Sequence, residues 1–299
     1  MKKIFSIATV ILLIVNTVSA GDGDDDTKKK FRAGLKFSMQ PSWFQSSDPN
    51  TTKLKTGFGY GFGLVTDFRL SDVIYFSTGI GGDFENASIK YRDDGYSPTS
   101  PTNNDGVFYC SYMLDNSNAF IKAEDNRDIG TYAKDGNSFY VVSSRKIKTT
   151  HITIPISLKM LTKEFSGFRY FGQFGGDIGI RTAAKAEDTY AYKTVFTGTT
   201  STTSTSGTNP VFDIRKDCSL IPFRFGMNIG LGTEYRMAGS TSLFLSVNYF
   251  RSFTNLMAKE SDYIYSDSSI DASTNNVSFV RLPQKLFMSA IKINIGVMF

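Results

Sequence analysis

The stretch IKINIGVMF, residues 291–299, sets apolar side chains at Ile291, Ile293, Ile295, Val297 and Phe299. Lys292, Asn294, Gly296 and Met298 lie between them. A period of two marks a β-strand with one apolar face. The same period recurs along the chain. Phe31, Ala33, Leu35, Phe37 and Met39 alternate with Arg32, Gly34, Lys36, Ser38 and Gln40. Further stripes run over 58–68, 74–84, 152–160, 168–180, 221–235 and 243–249. With the C-terminal stretch they make eight, and almost no helical period interrupts them.

The connections sort into two kinds. Three are short, near 70–73, 161–167 and 237–241. Four are longer, at about 41–56, 92–138, 186–218 and 254–284. Short and long alternate strictly. Loops of the longer size are uncommon in a compact soluble domain, whereas outer-membrane barrels pair short periplasmic turns with long extracellular loops. A β-sandwich has no reason to segregate its loops by end. A lipocalin-like barrel has eight strands too, but generally short loops. The expected fold is therefore all-β: an eight-stranded antiparallel up-and-down transmembrane barrel over residues 31–299, with both termini periplasmic in the outer membrane.

The non-apolar face carries Lys36, Asp67, Arg69, Asp83, Lys159, Arg169, Asp177, Arg181, Arg224, Glu234 and Lys292. Both signs are present, as a narrow lumen requires, because an unpaired buried charge is costly. An eight-stranded barrel is just wide enough for side chains to fill. The polar face is thus expected to be a packed network rather than an aqueous channel. The glycines of TGFGYGFGL (56–64) fit as small inward positions that make room for large neighbours.

The N-terminal MKKIFSIATVILLIVNTVSA (1–20) has a charged start, a short apolar run and a small-residue ending. That is the pattern of a secretory signal peptide, and the apolar run is too short to span about 30 Å of hydrocarbon as a helix. A charged leader would follow over 21–30. The formal charge of +5 falls to about +3 if Lys2 and Lys3 are removed. Acidic and basic residues are interspersed, which argues against a nucleic-acid partner. No motif calls for a cofactor or metal. The glycine runs GFGYGFG and FGMNIGLG lie inside strands and lack the strand–turn–helix setting of a dinucleotide site.

HITIPISLK (151–159), followed by a short turn and FRYFGQFGGDIG (168–179), resembles the PorT-like outer-membrane β-barrel family of Bacteroidota. The matching positions are Ile154, Pro155, Ile156, Leu158 and Lys159. GLGTEY (230–235) is similar to the family's Gly-x-Gly-x-Glu-Tyr strand, at Gly230, Gly232, Glu234 and Tyr235. In LFLSVNYFRSFTNL (243–256), Tyr249, Thr254, Asn255 and Leu256 match, while Asn248 stands where the family tends to carry Arg. The resemblance covers the barrel and not the long loops. It implies an outer-membrane barrel and, as one option, a role accessory to type IX secretion.

Several residues invite sharper readings. His151 is the single histidine and the candidate base of a lipid-modifying barrel enzyme; the plainer alternative is a polar residue near a strand end, since no motif fixes a nucleophile beside it. Cys110 and Cys218 fall in or beside the second and third long loops, as a candidate disulfide in an oxidising export route or as two unpaired thiols. TGTTSTTSTSGTNP (197–210) has the composition of a flexible surface loop. YRDDGY (91–96) and AEDNRD (123–128) lack the spacing of an EF-hand loop and read as solvated charge. Phe31, Trp43, Phe44, Tyr91, Phe168, Tyr170, Tyr235, Tyr249 and Phe253 are expected at the membrane interfaces, where aromatic girdles form. The terminal Phe299 resembles the signal read by the barrel-insertion machinery. The expected partners are outer-membrane lipid, that machinery, and secretion-system or surface proteins. The expected role is a non-enzymatic structural or surface-interaction one, the alternatives being a lipid-modifying enzyme and a small-solute channel.

Overall fold

A computed structural model describes residues 30–46, 51–91, 110–122, 136–197, 200–208, 212–214, 220–257, 262–271, 276–281 and 285–299. The signal-peptide segment, most of the leader, Cys218 and nearly all of both Asp-rich pieces lie outside the described residues. In chain order the strands are β1 (Phe31–Ser46), β2 (Thr51–Arg69), β3 (Ile74–Tyr91), β4 (Ser111–Leu114), β5 (Ser138–Leu161), β6 (Phe168–Thr197), β7 (Thr200–Thr208), β8 (Phe212–Asp213), β9 (Phe223–Ala238), β10 (Thr241–Ser252), β11 (Tyr265–Asp271), β12 (Asn276–Arg281) and β13 (Leu286–Met298).

Eight of these strands close a ring. β1 pairs with β2, β2 with β3, β3 with β5, β5 with β6, β6 with β9, β9 with β10, and β10 with β13; β13 then returns to β1. Every pairing is antiparallel. The ring strands are the eight stripes of the sequence, and closure removes the sheet edges that an open sheet would expose. IKINIGVMF forms the closing strand: Ile295 lies between Phe37 and Leu245, and Ile293 between Met39 and Val247. The backbone N–H of Phe299 donates to the Ala33 carbonyl at 2.7 Å, so both ends of the ring meet at the short-turn end. Gly167 and Gly239, at φ of 79° and 56°, occupy the left-handed positions in two of the short turns, where a side chain would be strained.

The strands run further than the stripes suggested. The connection expected over 41–56 is largely strand, because β1 continues to Ser46 and β2 begins at Thr51. β5 and β6 contain 24 and 30 residues, whereas a tilted strand crosses hydrocarbon in about ten. The Thr/Ser-rich segment expected to be a flexible loop includes β7, which pairs with β6 from Thr189↔Thr208 to Thr197↔Thr200. Threonine's branched side chain favours extended backbone, and that preference wins here over the low-complexity composition. Beside β6, β9 gives way to β8 and then to β7; beside β5, β4 takes over where β3 ends.

β5 shows how the wall is built. Its outward side chains are Lys146, Lys148 and Thr150, and then Ile152, Ile154, Ile156, Leu158 and Met160, which are 36 to 57% exposed. Its inward side chains are Arg145, Ile147, Thr149, His151, Thr153 and Lys159. β3 changes at the same level, from outward Phe84 to Asn86, Ser88 and Lys90, and from inward Asp83 and Glu85 to Ala87, Ile89 and Tyr91. The exposed apolar band over the short-turn half is the lipid-facing surface expected of a membrane barrel. Beyond it, the strands carry apolar residues inside and polar residues outside.

Candidate functional site

The lumen is filled in layers. At the short-turn end, the Arg32 guanidinium donates to Glu234 at 2.9 Å and to Asp67 at 3.0 Å. Lys159 donates to Asp67 at 3.0 Å and also to Glu234. Two cations and two carboxylates thus close a neutral quartet, each at most 4% exposed. Tyr75, Leu161, Phe171, Phe244 and Met298 form the apolar packing around it, with Lys159 Nζ 4.3 Å from the Phe171 ring centre. Inward glycines supply the space. A Cβ on Gly232 would meet Phe171 at 2.3 Å, and one on Gly296 would meet Phe244 at 2.4 Å.

The middle layer is one continuous hydrogen-bonded chain. Lys292 bridges Asp83 at 2.9 Å and Asp177 at 3.0 Å. Asp177 accepts from Asn228, Asn228 from Asn248, and Asn248 from Asn294, over 3.1, 2.9 and 3.1 Å. Asp83 also accepts from Gln40, Thr153 and Arg224. Gly61 makes the Gln40 contact possible, since its Cβ would fall 2.5 Å from the Gln40 amide and 2.6 Å from the Asp83 carboxylate. Arg224 also pairs with Glu85, and His151 Nδ1 lies 3.3 Å from the same carboxylate. Phe250 sits beneath both Arg224 and Lys292, at 4.7 and 4.8 Å.

Between these two layers lies a cavity of about 40 Å³. Lys36, Lys159 and Lys292 reach it, together with amides and hydroxyls that include Gln173, Asn228 and Ser157.

Above the middle layer, an apolar cluster seals the lumen at the long-loop end. It includes Phe44, Ile89, Tyr91, Tyr112, Ile147 and Met288, each at most 1% exposed. Segments outside the ring contribute to it, among them Ile214, Leu220, Met257 and Ile264. Inside this region Arg145 and Asp188 pair through two bonds of 2.8 and 2.7 Å, both fully buried.

Of the charged residues expected on the polar face, Asp67, Asp83, Lys159, Asp177, Arg224, Glu234 and Lys292 lie in the two paired layers. Lys36 faces the cavity. Arg181 sits higher, with Nη2 3.4 Å from the Leu256 carbonyl. Arg169 lies at the mouth and pairs with Glu164 at 3.0 Å. Arg69 is outside the lumen, at the β2–β3 turn, where it pairs with Asp72. The expected set of lumen charges left out Glu85, Arg145 and Asp188, and also Arg32, although Arg32 already stood on the polar phase of the first strand. Arg32 and Glu85 continue inward phases already visible in β1 and β3, so register alone would have found them. His151 is 0% exposed, so its imidazole has no lipid-facing surface.

Two aromatics are corrected: Phe44 and Tyr91 point inward into the apolar cluster rather than to a membrane interface. Phe31, Phe168, Tyr170, Tyr235 and Phe253 are 39 to 63% exposed. Phe31 meets Phe68, and Phe168 meets Tyr235, at ring distances of 5.2 and 4.8 Å near the short turns; Trp43 lies 6.5 Å from Tyr249 toward the other rim. Cys110 is buried in the apolar cluster, and its candidate partner Cys218 is outside the described residues. No cluster of metal-ligating side chains occurs among the described residues.

The family profile described as outer membrane protein beta-barrel domain matches residues 21–258. The chain belongs to that family. It is an integral outer-membrane β-barrel protein. Among solved structures it is similar to Ail, the attachment invasion locus protein of Yersinia pestis, at 9% identity and a TM-score of 0.29, over 91% of this chain and 100% of that one. It is also similar to Neisserial surface protein A, at 9% identity and a TM-score of 0.32, over 91% and 98%. OprG from Pseudomonas aeruginosa matches at 10% identity and a TM-score of 0.33, over 89% and 94%. Likeness at these values adds no argument about function. No curated protein matches the sequence.

Proposed function

We propose that this outer-membrane barrel is a closed, non-enzymatic platform that holds a rigid projection outside the cell for contact with other surface molecules. The observation that carries this reading is the extension of β5 and β6 beyond the lipid band over a buried apolar core. A wall that only needs to cross the membrane has no use for that core. The filled lumen speaks against a solute channel, and the enclosure of His151 speaks against a lipid-modifying enzyme with that base. The short turns and both chain ends then face the periplasm, with Phe299 available to the insertion machinery. Ile154-Pro155-Ile156 and the Gly230-to-Tyr235 strand support a place near the PorT-like branch, and with it an accessory role in type IX secretion as the narrower option.

The test is proximity labelling on intact cells with the full chain and with a variant whose β6–β7 hairpin is shortened across residues 190–207. The reading expects a set of labelled surface proteins that depends on the hairpin. An identical set with both chains would contradict it. Deletion of the gene followed by surface proteomics addresses the narrower option, and unchanged export of surface cargo would exclude it.

A further inference from the structure

We propose that the lumen cavity is a site for a small monovalent anion of chloride size, with the Lys36 ammonium as its principal ligand. The first argument is the lining. Three lysines reach the cavity, the other polar groups are amides and hydroxyls, and no carboxylate lines it. Two of those lysines are already engaged. Lys159 is held by Asp67 and Glu234, and Lys292 by Asp83 and Asp177. The four carboxylates are thereby paired, and none of them lines the cavity. Lys36 has no ion-pair or hydrogen-bond partner among the described residues, and its side chain is one of those facing the space.

The second argument is charge balance. The quartet of Arg32, Lys159, Asp67 and Glu234 is neutral. In the middle layer, Asp83, Glu85 and Asp177 face the partnered cations Lys292 and Arg224. Lys36 and Arg181 bring the cations to four against three carboxylates, counting His151 as neutral. Arg145 and Asp188 above cancel each other. With Lys36 protonated, the described residues of the lumen therefore carry one surplus positive charge, and a low-dielectric interior penalises uncompensated charge. One monovalent anion restores neutrality.

The third argument is size. A water needs roughly 10–15 Å³ of such space, so about 40 Å³ holds an ion of chloride size with a water or two. A sugar acid such as gluconate does not fit. The Gln173 side-chain amide, from β6, also lines this space.

The experiment uses the full barrel refolded in chloride, bromide or gluconate at constant ionic strength, with urea unfolding as the readout. A ligand that binds only the folded state stabilises it in proportion to the logarithm of its concentration. The midpoint is expected to rise with chloride and bromide and to stay flat in gluconate. Lys36→Met is expected to remove the difference between the anions. Equal midpoints in chloride and gluconate for the wild type would overturn the proposal. So would an undiminished difference in Lys36→Met, because the effect would then be general salt. Crystals of the wild-type protein grown in bromide give a readout that needs no variant. An anomalous peak beside Lys36 Nζ is expected, and a cavity holding only water would overturn the assignment.

Discussion

The lipid-embedded half of the barrel and the half beyond it are built by opposite rules on the same strands. On β5, the outward residues Ile152 to Met160 are apolar while His151, Thr153 and Lys159 point in. A few residues earlier Lys146 and Lys148 point out, while Ile147 and Val142 point in. From Arg145 to Leu161 the alternation of β5 keeps one phase; what changes is the solvent outside. In lipid, the wall hides its polar groups in a lumen where each must find a partner. Above lipid, the wall hides apolar groups as any water-soluble protein does. One half is held by paired charge and the other by apolar packing, and substitutions should separate them.

The largest loss is expected in the charge quartet. Glu234→Ala leaves Arg32 and Lys159 sharing only Asp67 in a site with almost no exposure. Breaking a buried pair in this way costs about 3–5 kcal/mol, to be read from urea unfolding of the refolded barrel in vesicles. Next comes Ile147→Ala in the upper core, where Ile147 is 1% exposed. Truncations of this kind cost about 2–5 kcal/mol, and the loss should concentrate above the membrane. Protease cleavage of β6–β7 should therefore speed up while the heat-modifiable gel mobility of the barrel persists.

A charge placed outward reads the boundary between the halves. Ile154→Lys puts an ammonium in the lipid band and should cost about 2–4 kcal/mol. Thr150→Lys, on the same face but one step beyond the isoleucines, should cost clearly less. The smallest effect belongs to the pair between Lys148 and Glu187, 3.5 Å apart on the outer wall with side chains 46 and 37% exposed. Glu187→Ala should change stability by under about 1 kcal/mol, and less again at high salt.

This contrast also explains what could be read from sequence. The ring was legible because lipid forces an unbroken outward run such as Ile152, Ile154, Ile156 and Leu158, a pattern that water-facing strands do not need. Charges on the opposite phase, such as Asp83 and Lys292, followed directly. Above lipid the signal fades, because Lys146, Lys148 and Lys185 outside with Ile147 and Ala186 inside look like ordinary amphipathic chain. The register with β5 also skips Thr182, between Arg181 and Ala183, which moves the phase of β6. Asp188 was therefore left in a loop, and its pairing with Arg145 had no local signature. Phe44 and Tyr91 went to the wrong side because an aromatic near a strand end looks the same whether it meets headgroups or a core. Only register across neighbouring strands tells them apart.

The inversion itself can be measured with one probe at two heights. The chain has a single tryptophan, Trp43. On a Trp43→Phe background, Ile154→Trp and Lys148→Trp each give a barrel with one outward indole. In vesicles of brominated lipid, the indole at 154 should be strongly quenched and shielded from aqueous iodide. The indole at 148 should be quenched by iodide and spared by bromine. Equal quenching of the two by brominated lipid would place both in the same solvent and contradict the account.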